Sequence, residues 1–182
     1  MNLQTFLSKR KTAFVKRWLE LIIQGYPPET QRLLAKETNE FANPVGAAYT
    51  HGINGILDEL VKGLNPDGVS PYLDRIIRIR AIQDFTPAKA VSFIFILKRI
   101  VREQPEDAQK DMILSTEDLA SFDAMVDELI LLAFDVYARC REQLYEIKLI
   151  EFKNRTQRLL QKANLVVELP DVEPGSGGIN NN

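Results

Sequence analysis

A long stretch without glycine or proline, from Glu117 to about Asn164, limits the possible folds of this chain more than any other feature. As one helix it would be about 70 Å long at a rise of about 1.5 Å per residue. Its first half has apolar residues at alternating steps of three and four: Leu119, Phe122, Val126, Leu129, Ala133, Val136 and Cys140. This 3-4 seam predicts a coiled-coil-like core face. After Tyr145 the pattern thins among bases, so the remainder either turns back as a separate helix or extends as an interaction helix.

Two shorter helices are predicted to meet at a hinge upstream of the long one. Apolar residues recur at helical spacing over residues 73–82 and again over residues 90–101. Between them, Thr86 is a favourable N-cap and Pro87 suits the first helical position, where its missing N–H has no cost. The second helix is apolar on three sides, which predicts that it lies at the buried centre of a helical domain.

The rest of the chain also favours helices. Helices are predicted over residues 3–23, 29–36 and 44–62, and the third begins after an Asn43 N-cap and ends at Gly63. Glycines inside this helix each cost up to about 1 kcal/mol relative to alanine. Close approach of a neighbouring helix would offset that cost. A loop is predicted from Leu64 to Ser70, with Ser70-Pro71 starting the helix before the hinge.

These elements together predict an all-α fold: a helical bundle of about five to seven helices with a long C-terminal helix. The helical domain is expected to span residues 1–165, with residues 105–114 forming a loop or a short helix. Residues 166–182 lack the apolar content to fold and are predicted to be a disordered tail.

Charge is unevenly distributed, although the formal net charge is only −2. Residues 75–102 are mostly basic and residues 103–128 mostly acidic, which indicates either complementary faces of adjacent antiparallel helices or a docking surface. The nearly neutral total favours neither nucleic acid nor anionic lipid as a partner. With no signal peptide and no run of roughly 20 apolar residues, we expect a soluble cytoplasmic protein without membrane insertion.

The residues that most often carry chemistry are scarce. His51 is the only histidine, which excludes a site built from two Glu-x-x-His pairs, but a lone histidine could still be a haem axial ligand. Cys140 is the only cysteine and lies on the 3-4 seam, where a thiol packs as a small hydrophobe. We therefore predict no catalytic residues, no metal site and no cofactor.

Three segments carry a resemblance to a known family. They are FANPVG at residues 41–46, GINGILDELV at residues 52–61 and LDRIIRIRAIQDFTPAKAVSFIFILKRIVRE at residues 73–103. The chain resembles the N-terminal domain of RsbRD-type proteins, the RsbT co-antagonists of the bacterial stressosome, over about residues 7–160. In those proteins the helical domain is regarded as a sensory or regulatory module that precedes a phosphorylatable STAS domain. Here the tail leaves no room for a STAS domain, so we expect either a free-standing sensor-like module or one that is recruited to another complex.

The resemblance favours a non-catalytic regulatory or sensor-like domain that acts through protein–protein interaction in bacterial signalling. Four basic residues are candidates for partner contacts: Arg78, Arg80, Lys148 and Arg155. The alternative is a small-ligand or haem-binding sensor with a core pocket lined by Tyr49, His51, Phe93, Ile96, Leu97 and Phe134. Partner proteins are not identifiable from the sequence. A homodimer through the 3-4 seam or the adjacent bundle face is a further hypothesis.

Overall fold

The structure is a computed structural model that describes residues 2–36, 43–103, 114–163 and 165. These residues form six helices and no strand: α1 (Leu3–Gln24), α2 (Pro28–Lys36), α3 (Pro44–Lys62), α4 (Pro66–Ile82), α5 (Pro87–Arg102) and α6 (Thr116–Lys162). The predicted all-α fold with a long C-terminal helix is confirmed. The predictions for residues 105–113 and for the tail, 166–182, lie outside the described residues.

The described residues belong to two compact units, which divide between Gln143 and Leu144 within α6. The first unit contains α1 to α5 and the beginning of α6, and it has a large apolar core. The second unit contains the remainder of α6. Because α6 is a single helix from Thr116 to Lys162, the predicted long helix is confirmed.

Local capping signals define several helix starts. The Asn43 side chain accepts a hydrogen bond of 2.8 Å from the Gly46 N–H at the start of α3. At the start of α6, Ser115 and Asp118 cap each other reciprocally, with the Asp118 N–H donating to Ser115 Oγ at 3.0 Å. These contacts satisfy N–H groups that have no partner within the first turn of a helix.

The predicted start of α4 is wrong by five residues, which is more than one turn. The helix begins at Pro66 after an Asn65 N-cap, whose side chain accepts from the Asp67 N–H at 3.0 Å, and Pro71 lies inside it. Asn65-Pro66 and Ser70-Pro71 are equivalent local signals, so the sequence does not distinguish them. The additional turn places Val69 one turn before Leu73, and both side chains are fully buried in the core.

The 3-4 seam of α6 packs into the bundle. Its members from Phe122 to Cys140 are all buried: Phe122, Val126, Leu129, Ala133, Val136 and Cys140. Cys140 is therefore a core residue, as predicted, and burial raises the pKa of its thiol. Because these side chains already contact the core of their own chain, this part of the seam does not face a second copy.

Two glycines of α3, Gly52 and Gly55, allow α4 to approach closely. A Cβ atom at Gly52 would lie 2.7 Å from the Ile76 side chain, and one at Gly55 would lie 2.2 Å from the Tyr72 ring. No real Cβ contact is that short, so these positions accept only glycine without rearrangement. Close packing between α3 and α4 is thus the interaction that offsets the cost in stability of glycine inside this helix.

Replacing Gly55 by alanine is expected to lower the free energy of unfolding by about 1–3 kcal/mol, because the new methyl group overpacks against Tyr72. Helix propensity alone would change stability by up to about 1 kcal/mol in the opposite direction. Urea denaturation of the variant checks the sign. A Gly55→Ala/Tyr72→Ala double variant should lose less than the sum of the two single changes, since the shortened side chain frees the space. A stabilised Gly55→Ala protein would contradict this packing.

The basic and acidic segments form cross-helix ion pairs. Lys98 of α5 contacts Asp127 of α6 at 2.7 Å, and Arg102 contacts Asp123 one turn away. The reversed order of the pairs shows that α5 and α6 are antiparallel in this region. The first explanation of the charge pattern, complementary faces of adjacent helices, is confirmed for these residues.

None of the helices in the described part of the chain is both long enough and apolar enough to cross a membrane.

Candidate functional site

A buried arginine lies at the hinge between α4 and α5. Arg80, in the last turn of α4, is only 4% exposed, and the described residues provide it with no carboxylate partner. Its Nε donates to the Tyr49 hydroxyl at 2.9 Å, and its Nη1 donates to the Lys89 carbonyl at 3.0 Å. A buried charge needs such hydrogen bonds because it has lost its hydration.

Aromatic rings complete the surroundings of Arg80. The centre of its guanidinium lies 5.5 Å from the Tyr49 ring centroid, 5.2 Å from that of Phe85 and 4.7 Å from that of Phe93. Cation–π attraction is worth up to about 2 kcal/mol when the charge is removed from water. The rings therefore take the place of the missing counter-ion.

The hydrogen bonds continue from Arg80 through two tyrosines. The Tyr49 and Tyr26 hydroxyls are 2.6 Å apart, and the Tyr26 hydroxyl donates to Gln83 Oε1 at 3.0 Å. Since the Tyr26 proton is directed to Gln83, Tyr49 donates to Tyr26 while accepting from Arg80. We call these four residues, Tyr26, Tyr49, Arg80 and Gln83, the hinge cluster; it joins the segment after α1 and helices α3 and α4.

The Tyr49 phenol is held in its neutral form. Burial raises its pKa well above the ordinary value of 10.0, and the nearby Arg80 guanidinium only partly opposes that shift. A phenol that stays protonated can donate to Tyr26 throughout the neutral range. The order of donors in the hinge cluster is therefore fixed under physiological conditions.

Alkaline conditions are expected to destabilise the protein through Tyr49. Because the folded state raises the pKa, the folded protein holds this proton more tightly than the unfolded chain. The stabilisation is complete below about pH 10 and is lost as the pH rises above that value. The free energy of unfolding, measured by urea titration at several pH values, should fall more steeply for the wild type than for Tyr49→Phe. Parallel pH profiles would contradict this assignment.

The hinge is also connected to α6. Asp84 has a left-handed backbone with φ of 56°, and its carboxylate accepts from Arg141 Nη1 at 2.8 Å. Arg141 also donates to the Ala81 carbonyl at 3.1 Å, and the Tyr137 hydroxyl donates to the Phe85 carbonyl. Two side chains of α6, one turn apart, thus contact the chain on both sides of Asp84.

The predicted pocket residues are separated by the fold. Tyr49, Phe93 and Leu97 are buried, but His51 is exposed and lies near the Tyr72 ring, with ring centroids 5.7 Å apart. Residues two positions apart on a helix point to nearly opposite sides, so His51 and Tyr49 cannot line the same pocket. Phe134 is 48% exposed and Ile96 is half-buried. Of this set, the structure brings Tyr49 and Phe93 together, around Arg80.

The four basic interaction candidates also occupy different environments. Arg80 is buried, so its prediction as a partner-contacting residue is wrong; the guanidinium instead supports the core. Arg78 is exposed and forms an ion pair with Asp74 at 3.0 Å, one turn earlier on α4. Lys148 and Arg155 are exposed on α6. Among the described residues, no three His, Cys, Asp or Glu side chains are grouped so that they could hold a metal ion.

Sequence reasoning missed Tyr26, Gln83, Tyr137 and Arg141. Tyr26 follows the Gly25 cap of α1, outside any periodic pattern, and the two α6 residues are not distinguished from their neighbours by spacing. Gln83 alone had a signal, because it lies within the RIRAIQDFTPAKA segment that carries the family resemblance. That segment coincides with the hinge.

The fold and the hinge cluster define a class of protein: an all-α domain in which a buried cation–phenol cluster supports a two-helix hinge attached to a long helix. Residues 12–148, well over half of the chain, match the family model of the RsbT co-antagonist protein rsbRD N-terminal domain. The chain belongs to this family of bacterial regulatory signalling domains, as its resemblance predicted. No curated protein and no solved structure matches it.

Proposed function

We propose that this domain is a non-catalytic regulatory module of bacterial signalling that acts in the cytoplasm by binding another protein. The observation that carries the proposal is the connection between the hinge and α6 through Arg141–Asp84 and Tyr137–Phe85. A change in the bundle that moves the hinge would act directly on these residues of α6. The family membership supports a regulatory role, and a homodimer stays a prediction.

The opposing energies of the backbone conformation and the ion pair at the hinge are suitable for a conformational switch. A left-handed conformation costs roughly 1–2 kcal/mol for most residues and less for aspartate, whose side chain can hydrogen-bond locally. The Asp84 side chain of the Arg141–Asp84 pair is 76% exposed, so the pair contributes about 0–1 kcal/mol. Because these opposing terms are similar in size, binding of modest affinity can change the hinge without unfolding the core.

A core-ligand function involving His51 would require a different arrangement. The imidazole would have to reach the opposite face of α3, where Tyr49 is fully buried. The hinge-to-α6 connection needs no such movement. It therefore supports regulation through protein contacts better than regulation through a ligand bound by His51.

Breaking the hinge-to-α6 connection is expected to alter signalling without loss of the fold. We would replace the chromosomal copy with a Tyr137→Phe/Arg141→Gln variant and measure stress-induced transcription in the host. We expect the response to change at least about threefold, since allosteric couplings are typically worth about 1–3 kcal/mol. An unaltered response from a folded, normally expressed variant would contradict the proposal.

Arg139→Gln is the matched control. Arg139 is exposed on the same turn of α6 and the change removes the same charge, but within the described part of the chain no hydrogen bond joins it to the hinge. This variant should respond like the wild type. A double-mutant cycle between Asp84→Asn and Arg141→Gln, measured by urea denaturation, checks the contact itself.

A further inference from the structure

The second unit has an apolar helical face of its own. Leu149, Phe152 and Leu159 are 67%, 68% and 61% exposed. With Thr156, and with Ala163 directly after the last residue of α6, they recur at steps of three and four: Leu149, Phe152, Thr156, Leu159 and Ala163. We call this set the second seam; it lies on residues 144–165 and shares no member with the buried 3-4 seam. Alternating steps of three and four are the pattern of a helix that pairs with another helix.

Bases border the second seam along one side. Lys148, Arg155 and Lys162 each precede a seam residue and recur every seven residues, and all three are exposed. They occupy the flanking g positions of a heptad in which Leu149, Thr156 and Ala163 are a positions. We call them the flanking bases. Among the described residues, none of them forms an ion pair.

Residues on the other border add little negative charge. The e positions after Phe152 and Leu159 are Lys153 and Leu160, and the one acid at an e position on this border is Glu146, one heptad before Lys153. Glu151 precedes Phe152 on the outer surface and makes no ion pair with Arg155 within the described structure. Flanking charges in coiled coils set the choice and orientation of the partner.

These positions disfavour a second copy of the chain as the occupant. In a parallel pair, Lys148 of one helix would face Lys153 of the other. In an antiparallel pair, the row of flanking bases would face the same row. Opposed like charges reject a partner, whereas acidic residues at those positions would attract it.

We propose that the second seam binds an acidic amphipathic helix of a different protein, forming a short heteromeric coiled coil. Apolar side chains of the partner pack on Leu149, Phe152 and Leu159, and its glutamates or aspartates pair with the flanking bases. This inference rests on the proposed function and specifies the chemistry of the protein partner. The binding helix is already formed, so less conformational entropy is lost on association.

The test uses two synthetic amphipathic peptides of equal length, both with leucine and isoleucine along the seam. One carries glutamate at every flanking position and the other lysine, so neither pairs with itself. Fluorescence anisotropy titrations with the full chain should show at least about tenfold tighter binding of the acidic peptide, with affinity that falls as salt increases. Equal affinities, or no binding by either peptide, would overturn the proposal.

Two charge-reversal variants of the same helix distinguish a position beside the second seam from a position elsewhere on the helix surface. Arg155→Glu should weaken binding of the acidic peptide about tenfold, because it places like charge beside the seam. Arg158→Glu makes the same charge change on the face away from the seam and should leave affinity within about twofold. Phe152→Ser should abolish binding, and circular dichroism establishes that the bundle is intact. Equal effects of the two charge reversals would contradict the assignment of the face.

Two other occupants have distinct signatures, and either would overturn the proposal. A second copy would appear in sedimentation equilibrium as a dimer that Phe152→Ser dissociates. If only a chain shortened to Leu165 binds the acidic peptide, the occupant of the second seam is the segment 166–182 of the same chain. If the host response depends on Tyr137 and Arg141 but the protein does not prefer the acidic peptide, the proposed function holds and only the present proposal fails. If the Tyr137→Phe/Arg141→Gln variant leaves the host response unaltered but the protein clearly prefers the acidic peptide, only the proposed function is contradicted.

Discussion

Replacement of Arg80 by alanine is expected to lower the free energy of unfolding by about 3 kcal/mol. The change removes the hydrogen bond to Tyr49 and those to the start of α5, and it leaves a space among three aromatic rings. Buried large-to-small changes cost about 2–5 kcal/mol, and hydrogen bonds to charged groups about 1.5–3 kcal/mol each. The substitution also removes the unfavourable desolvation of a buried charge. This gain offsets part of the two costs, so the expected loss of stability stays near about 3 kcal/mol. Urea denaturation followed by fluorescence of Trp18, the only tryptophan, measures it.

Arg80→Met is the control that separates shape from charge. Methionine fills much of the volume of the arginine stem but donates no hydrogen bond, so its stability should lie between those of the wild type and Arg80→Ala. Replacing buried ionic groups by apolar residues of similar volume is sometimes stabilising. A methionine variant as stable as the wild type would therefore mean that the buried guanidinium contributes no net stability.

Replacement of Trp18 by alanine is expected to have a still larger effect, about 3–5 kcal/mol. Trp18 is fully buried, its ring stacks on Phe93 with centroids 5.9 Å apart, and its Nε1 donates to the Phe93 carbonyl at 2.7 Å. It attaches α1 to α5 at the centre of the core. Total stabilities of natural domains are about 5–15 kcal/mol, so this single change removes a large fraction. Far-UV circular dichroism during thermal unfolding provides the measurement, since the variant lacks tryptophan fluorescence.

Two comparisons show whether the effect arises from burial. Trp18→Phe keeps an aromatic ring against Phe93 and should lose much less stability than the alanine variant. Phe95→Ala removes a ring that is 52% exposed on the same helix α5, and surface changes are usually within about 0.5 kcal/mol. If Trp18→Ala were no more destabilising than Phe95→Ala, the packing of α1 on α5 would not be the main support of the core.

The sequence was most informative where a local signal decides the structure. The Asn43 and Thr86 caps, each followed by proline, mark the starts of α3 and α5, and Gly63 marks the end of α3 with φ of 105°. The same logic failed at α4, where two Asn- or Ser-Pro pairs compete. Burial of Val69 distinguishes them, and burial depends on neighbouring helices.

The candidate site was less predictable because its residues are distant in sequence. Tyr26, Tyr49 and Arg80 belong to three different segments, and only the packing of α3 against α1 and α4 brings their polar atoms within hydrogen-bonding distance. The sequence predicts a surface position for Arg80 because charge normally indicates exposure. The rings that make its burial acceptable come from α3, the hinge and α5, which no local pattern connects.

By itself the sequence determined the helical class, most helix ends and the family, since caps, prolines and apolar periodicity act over a few residues. The tertiary structure alone decided that the 3-4 seam of α6 packs on the core of its own chain. It decided likewise that Arg80 is buried among aromatic rings and that His51 lies apart from Tyr49. The physical reason is that periodicity defines the faces of a helix, whereas the partner of each face depends on contacts between residues far apart in the chain.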